Sequence, residues 1–363
     1  VVNPPLESCI VAAVDRETCR DLIAQWDAIA FKDPGEGARH AEHCLDVVAK
    51  LDYPPELHAR ALTIYGSSRR AIGDLGGAEQ AYRQALRIFD ALLAEPDNNQ
   101  VILDEADLQR RIAYLRAKQG RYPDALQCAG HALRIFHLAN ETHEKGRAFL
   151  ARGSVLLMMD QSRSISALIL ALEHLDGEKS PEDFLAATSN LIYALTLFQD
   201  LDADWLEGAL RRVTECRLSL RSRRRRVGTR YLKGHRRKTP ADALMRYVQG
   251  RLLVLLERYE EARALLHTAR EDLLELGMAR ELASASLELA ECYLHLSGIH
   301  RWHRIEALCR EVLTALASEP DTTDAIAAFK LLRCSLLERS AQEARDGLSS
   351  ARRALGPAGT GSS

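Results

Sequence analysis

The chain has 363 residues, with 49 Lys and Arg against 51 Asp and Glu, so its formal net charge of −2 gives no global attraction to nucleic acid or to a membrane surface. Apolar residues make up 47% and aromatics only 6%, a mixture that suits closely packed helices and is poor for a sandwich or barrel. No apolar run approaches the ~20 residues of a membrane span, and the eight cysteines form no CxxC pair, which predicts reduced thiols in a cytoplasmic protein.

Prolines mark the joints along the chain. Pro34, Pro54, Pro55, Pro96, Pro181, Pro240, Pro320 and Pro357 fall between segments in which apolar residues recur at three and four. Pro123 stands at a helix start, where its missing N–H costs nothing. No segment alternates apolar and polar residues long enough to demand a strand. The pattern predicts sixteen helices, or about eight antiparallel pairs, running from about residue 15 to about residue 354. Residues 1–34 read as an N-terminal segment with a capping helix and 35–220 as a first block of helix pairs. A basic flexible insertion follows at 221–239, then a second block with capping helices at 240–355 and a disordered tail at 356–363.

One helical pattern recurs within these blocks. DLGGAEQAYRQAL (74–86), QGRYPDALQCAGHAL (119–133) and RYEEARALLHTA (258–269) each place a tight turn before a spaced triplet. The triplets are Ala78/Tyr82/Ala85, Ala125/Ala129/Ala132 and Ala262/Leu266/Ala269, the first two lying 47 residues apart. A small residue stands twelve positions before each: Gly66, Ala113 and Gly250. Repetition on this scale means stacked helix pairs, each burying its apolar face on its neighbours.

These residues resemble the tetratricopeptide repeat, in which small residues let helix A and helix B approach closely. The resemblance implies an all-α, right-handed α-solenoid. Its repeats are longer than the family's usual length of about 34 residues, as in bacterial regulatory and scaffold proteins. It also implies a groove formed mainly by helix A residues that binds extended peptides. Counted from the small residue of each helix A, the inward positions are Arg60, Thr63, Ser67 and Arg70, then Arg110, Tyr114 and Lys118, then Arg147 and Ser154. Five of these nine are basic, which suits a carboxylate, an acidic peptide or a phosphopeptide, because Arg binds such groups bidentately. An ordinary solvated helix face explains them equally well. The family's carboxylate clamp also uses Asn, and the corresponding positions carry Ser67 and Tyr114, so that clamp does not transfer. The later positions Leu244, Tyr247, Arg251 and Val254 are more apolar and suit inward packing.

Residues 211–238 break the pattern. They hold eleven Arg and two Lys against the single acid Glu215, a local charge of +12 that leaves −14 on the rest. The helix beginning near 202 is expected to end around 220, and like charges at such density favour an extended segment. Arg221, Arg223, Arg224, Arg225, Arg226, Arg230, Lys233, Arg236, Arg237 and Lys238 would each neutralise a phosphate, with Tyr231 stacking on a base. A solvated insertion without a partner and a contact with an acidic protein surface are the other readings.

There is no GxGxxG, Walker loop, HExxH or GxSxG, and the His40/His43/Cys44 and His300/His303/Cys309 groupings are too irregular to predict a metal site. The sequence therefore points away from an enzyme and requires no cofactor. Three functions remain open. One is a scaffold, adaptor or sensing module that binds a protein or peptide in its groove. Another is a nucleic-acid-associated regulator acting through 217–238. The third is a peptide-sensing regulator whose effector is a separate chain.

Overall fold

The computed structural model describes residues 35–39, 41–42, 45, 54–94, 98–177, 179–198, 200–228, 239–296 and 301–315, with isolated positions at 328, 331–332 and 339–340; the side chains of 221–228 and 315 are not among them. The whole predicted N-terminal segment 1–34, residues 229–238 of the basic insertion, nearly all of the last two predicted helices and the tail lie outside these residues. Among the described residues there are helices and turns and no strand. The chain divides into two compact units, Val1–Leu175 and Asp176–Ser363.

The first unit contains α1 (Pro55–Ala71), α2 (Leu75–Leu93), α3 (Asn99–Lys118), α4 (Tyr122–Leu138), α5 (Thr142–Met158) and α6 (Arg163–His174). Each odd-numbered helix packs on the even-numbered helix that follows, and α2 and α4 also pack on the next odd-numbered helix. The odd helices touch one another, α1 on α3 and α3 on α5, whereas α2, α4 and α6 do not. Within this unit α1, α3 and α5 are therefore the inner layer of a curved stack, and the even helices fan apart on its outer side.

The small residues read from the sequence explain the close pairing. A β-carbon on Gly66 would lie 2.5 Å from the Tyr82 ring, so α1 and α2 meet at this distance only because residue 66 has none. Ala78, Tyr82 and Ala85 are buried between them, as are Ala125, Ala129 and Ala132 of α4. The α5–α6 pair uses Gly153, whose β-carbon would meet the Leu168 side chain at 2.8 Å. The turns share one device. Gly73, Gly120, Asn140 and Asp160 have positive φ just after α1, α3, α4 and α5. After α3, the Arg121 N–H reaches back to the Arg116 carbonyl at 2.8 Å, which satisfies an end-of-helix acceptor. Asp74 caps α2 by accepting from the Gly77 N–H at 2.8 Å.

The second unit contains α7 (Pro181–Leu197), α8 (Ala203–Gly228), α9 (Pro240–Leu255), α10 (Tyr259–Glu275), α11 (Ala279–His295) and α12 (Arg301–Ala315). Here α9 pairs with α10 and α11 with α12, and Gly250 lies against Leu266 with no room for a β-carbon, which would stand 2.6 Å from it. Among the described residues α7 and α8 both pack on α9 rather than on each other, so they depart from the repeat. The predicted end of the 202–220 helix is corrected: α8 continues to Gly228, through the first part of the basic segment. Arg is a good helix former, and this propensity prevails over like-charge repulsion for the added turns.

Candidate functional site

The expected groove residues lie on the inner helices α1, α3 and α5 of the first unit, and their surroundings differ from a plain basic stripe. Arg60 on α1 makes a two-pronged ion pair with Asp104 on α3, both contacts at 2.6 Å. Asp107, one turn further along α3, accepts from the neighbouring Arg110, with Nε at 3.0 Å, and from Arg111 at 2.7 Å. Arg147 on α5 stands 4.0 Å from the same carboxylate and pairs with Glu144 at 3.1 Å. Partial burial opposes the charged form of Asp107, but Arg110, Arg111 and Arg147 overcome it and hold the carboxyl well below the usual aspartate range.

The hydroxyls point into the stack. Thr63 and Ser154 donate to the Ala59 and Leu150 carbonyls at 2.8 Å, and Ser67 donates to Thr63 at 3.1 Å. Ser67 also meets the Tyr82 hydroxyl at 3.0 Å and accepts from Arg111 at 2.9 Å. Thr63, Ser67, Arg110 and Ser154 are all buried. Ser67 ties α1 to α2 and α3, whereas Thr63 and Ser154 bond back to their own helices, and side chains this buried are poorly placed to meet a ligand.

Arg70, Tyr114 and Lys118 differ from the rest. The Arg70 guanidinium lies over the Tyr114 ring at 5.4 Å, and its Nε is buried without a hydrogen-bond partner. Lys118 follows one turn after Tyr114 on α3 and is exposed. Neither Arg70 nor Lys118 makes an ion pair among the described residues. The inner face thus has a neutralised part near Arg60–Asp104 and Asp107, and an uncompensated cationic part at the C-terminal ends of α1 and α3. Sequence reasoning missed Asp104, Asp107 and Arg111. The signal was present: Asp107 lies three and four residues before Arg110 and Arg111, which puts all three on one helix face.

In the second unit, Leu244, Tyr247, Arg251 and Val254 are buried, as inward packing requires. Arg251 pairs with Glu288 at 2.6 Å; desolvation lowers its proton affinity, and the Glu288 charge more than offsets this. Of the basic segment, Arg217 binds Asp242 at 3.0 Å and Gln249 at 2.5 Å. The candidates Arg221, Arg223, Arg224, Arg225 and Arg226 lie on the helical backbone of α8, whereas Arg230, Lys233, Arg236, Arg237 and Lys238 lie outside the described residues.

Cys128, Cys216, Cys292 and Cys309 are free thiols. Burial pushes Cys292 up to about 12 and Cys309 up to about 11, the behaviour of packing residues rather than nucleophiles. Among the described residues no cluster of three metal-ligating side chains occurs, and no helix is long and apolar enough to cross a membrane. His40, His43, Cys44 and His300 lie outside them.

No family model and no curated protein sequence matches the chain. Among solved structures, it is similar to a signal-transduction ATPase with numerous domains that carries a tetratricopeptide-repeat sensor, from Pyrococcus horikoshii. That similarity has a TM-score of 0.55 at 13% identity over 89% of this chain. The fold is tetratricopeptide-like. The match takes in only 44% of the P. horikoshii protein, so it concerns the helical repeats and not the rest of that protein. Lesser likenesses are to apo RapI, with a TM-score of 0.44 at 12% identity over 78% of this chain and 97% of that one. The quorum sensor NprR from B. thuringiensis gives 0.37 at 13% identity, over 88% of this chain and 99% of its own.

Proposed function

We propose that this tetratricopeptide-like protein is a non-catalytic binding module, a scaffold, adaptor or sensor that holds an acidic peptide segment on the inner face of its first unit. The observation behind this reading is the Arg70–Tyr114–Lys118 group. It presents two cations without carboxylate partners beside an aromatic ring, on a face whose other cations are mostly neutralised by Asp104, Asp107 and Glu144. An extended peptide laid along α1, α3 and α5 would place a carboxylate against Arg70 and Lys118 and an apolar or backbone group on Tyr114. Arg110 is part of the internal ion-pair network and is not a contact residue in this reading.

The test is binding to an array of ten-residue peptides of graded charge. Acidic peptides should be retained, and replacing Arg70 and Lys118 together by Ala should weaken that retention roughly tenfold, or about 1.4 kcal/mol, with the helical circular dichroism unchanged. Equal retention of acidic and basic peptides, or acidic binding unaffected by the double substitution, would contradict the proposal.

A further inference from the structure

The fan of even-numbered helices leaves two grooves on the outer side of the first unit, one repeat apart. The first lies between α2 and α4 over α3 and has a volume of about 260 Å³. The second lies between α4 and α6 over α5 and has a volume of about 410 Å³. Their linings differ in chemistry at equivalent positions. Glu79, Arg83 and Arg116 of the first correspond to Leu126, Gly130 and Leu156 of the second, while Gln109 and Gln127 correspond to Phe149 and Ala167.

The first groove is filled by its own charges. Glu79 pairs with Arg83 at 2.6 Å and with Arg116 at 3.0 Å, and Arg121 pairs with Asp124. The second groove contains no carboxylate. Leu126, Phe149, Leu156, Ala167 and Leu170 give it an apolar lining, and exposed Arg152 and Arg163 join that lining. Neither arginine makes an ion pair or hydrogen bond among the described residues. Where the first groove has the Arg83 side chain, the second has Gly130, and a β-carbon there would meet nothing within 4 Å.

We infer that the α4–α5–α6 cleft is a ligand site for a small amphiphilic carboxylate. Its alkyl or aryl body would lie against Leu126, Phe149 and Leu156, and its carboxylate would lie between Arg152 and Arg163. The volume falls within the ~300–1,000 Å³ of small-molecule sites, which are likewise apolar with a few polar groups fixing orientation. An acid-free apolar cleft with two unpaired guanidiniums selects an anion with an apolar body. A neutral amphiphile would gain no charge-assisted contact from the arginines, and a hydrophilic anion would gain nothing from the apolar lining. This site lies on the outer side of the stack and is independent of the inner-face peptide site proposed above.

The probe is sodium decanoate below its micellar concentration, titrated calorimetrically into the full chain, with decanol as the neutral control. Decanoate should bind at least about tenfold more tightly than decanol. R152Q/R163Q should abolish that preference. Gly130→Leu, which places a side chain in the open cleft and replaces a helical Gly by a better helix former, should abolish decanoate binding while circular dichroism is retained. Arg70→Ala with Lys118→Ala should leave decanoate binding unchanged, so the two proposals fail separately. No saturable binding, decanoate binding that survives Gly130→Leu, or equal affinity for decanol would overturn the inference. Displacement only by an acidic aromatic peptide would also overturn it, by assigning the cleft to a protein segment.

Discussion

Asp107 shows how one residue decides what the inner face can do. Read from the sequence, Arg110 and Arg147 look like contacts for an acidic ligand; in the folded chain an internal aspartate stands beside both. The three guanidiniums around Asp107 depress its pKa, and the sign of the pH effect follows. A carboxylate with a lower pKa folded than unfolded contributes stability that is complete above the unfolded value of about 3.9 and is lost as pH falls through the depressed range. Asp107→Ala would leave buried Arg110 and Arg111 without this partner and should cost about 3 kcal/mol at pH 7. Urea unfolding at several pH values tests this. The gap between wild type and variant should be constant near neutrality and narrow below about pH 4; a gap that stays constant into acid would show that Asp107 is not held ionised by its neighbours.

At the scale of the helix, the repeat was legible where Gly or Ala alone sets the approach of two helices. Gly66 with Ala78, Tyr82 and Ala85, and Gly250 with Ala262, Leu266 and Ala269, gave both the pairs and their partners. Gly153 was harder to read, because β-branched and Leu side chains of α6 replace the Ala pattern opposite it. The length of α8 was misread because charge density suggested a loop while Arg propensity favoured helix. The groove candidates fall on α1, α3 and α5, but their burial and pairing are set by residues far apart in sequence, as with Arg60 and Asp104, which are 44 positions apart. The helix ends also carry a testable cost. Glu257 follows α9 with φ of 57°, and the Arg258 N–H behind it reaches the Leu253 carbonyl at 2.9 Å. This left-handed position favours Gly, so Glu257→Gly should stabilise the protein by about 1 kcal/mol in thermal or urea unfolding. A destabilising result would mean that the Glu257 side chain contributes more than its backbone strain costs.

Taken as a whole, the described residues form two helical units, each with its own core. The first unit separates an inner face of ion pairs ending in Arg70, Tyr114 and Lys118 from an outer cleft lined by Leu126, Phe149 and Leu156. The most direct test of the inner-face claim is site-specific photo-crosslinking, with Tyr114 replaced by benzoylphenylalanine and the exposed outer position Arg134 replaced in the same way as control. After incubation with the graded peptide array, crosslinks from position 114 should map to peptides rich in Asp and Glu, with few from position 134. Crosslinks of equal yield from both positions, or peptides without acidic residues at position 114, would contradict the account.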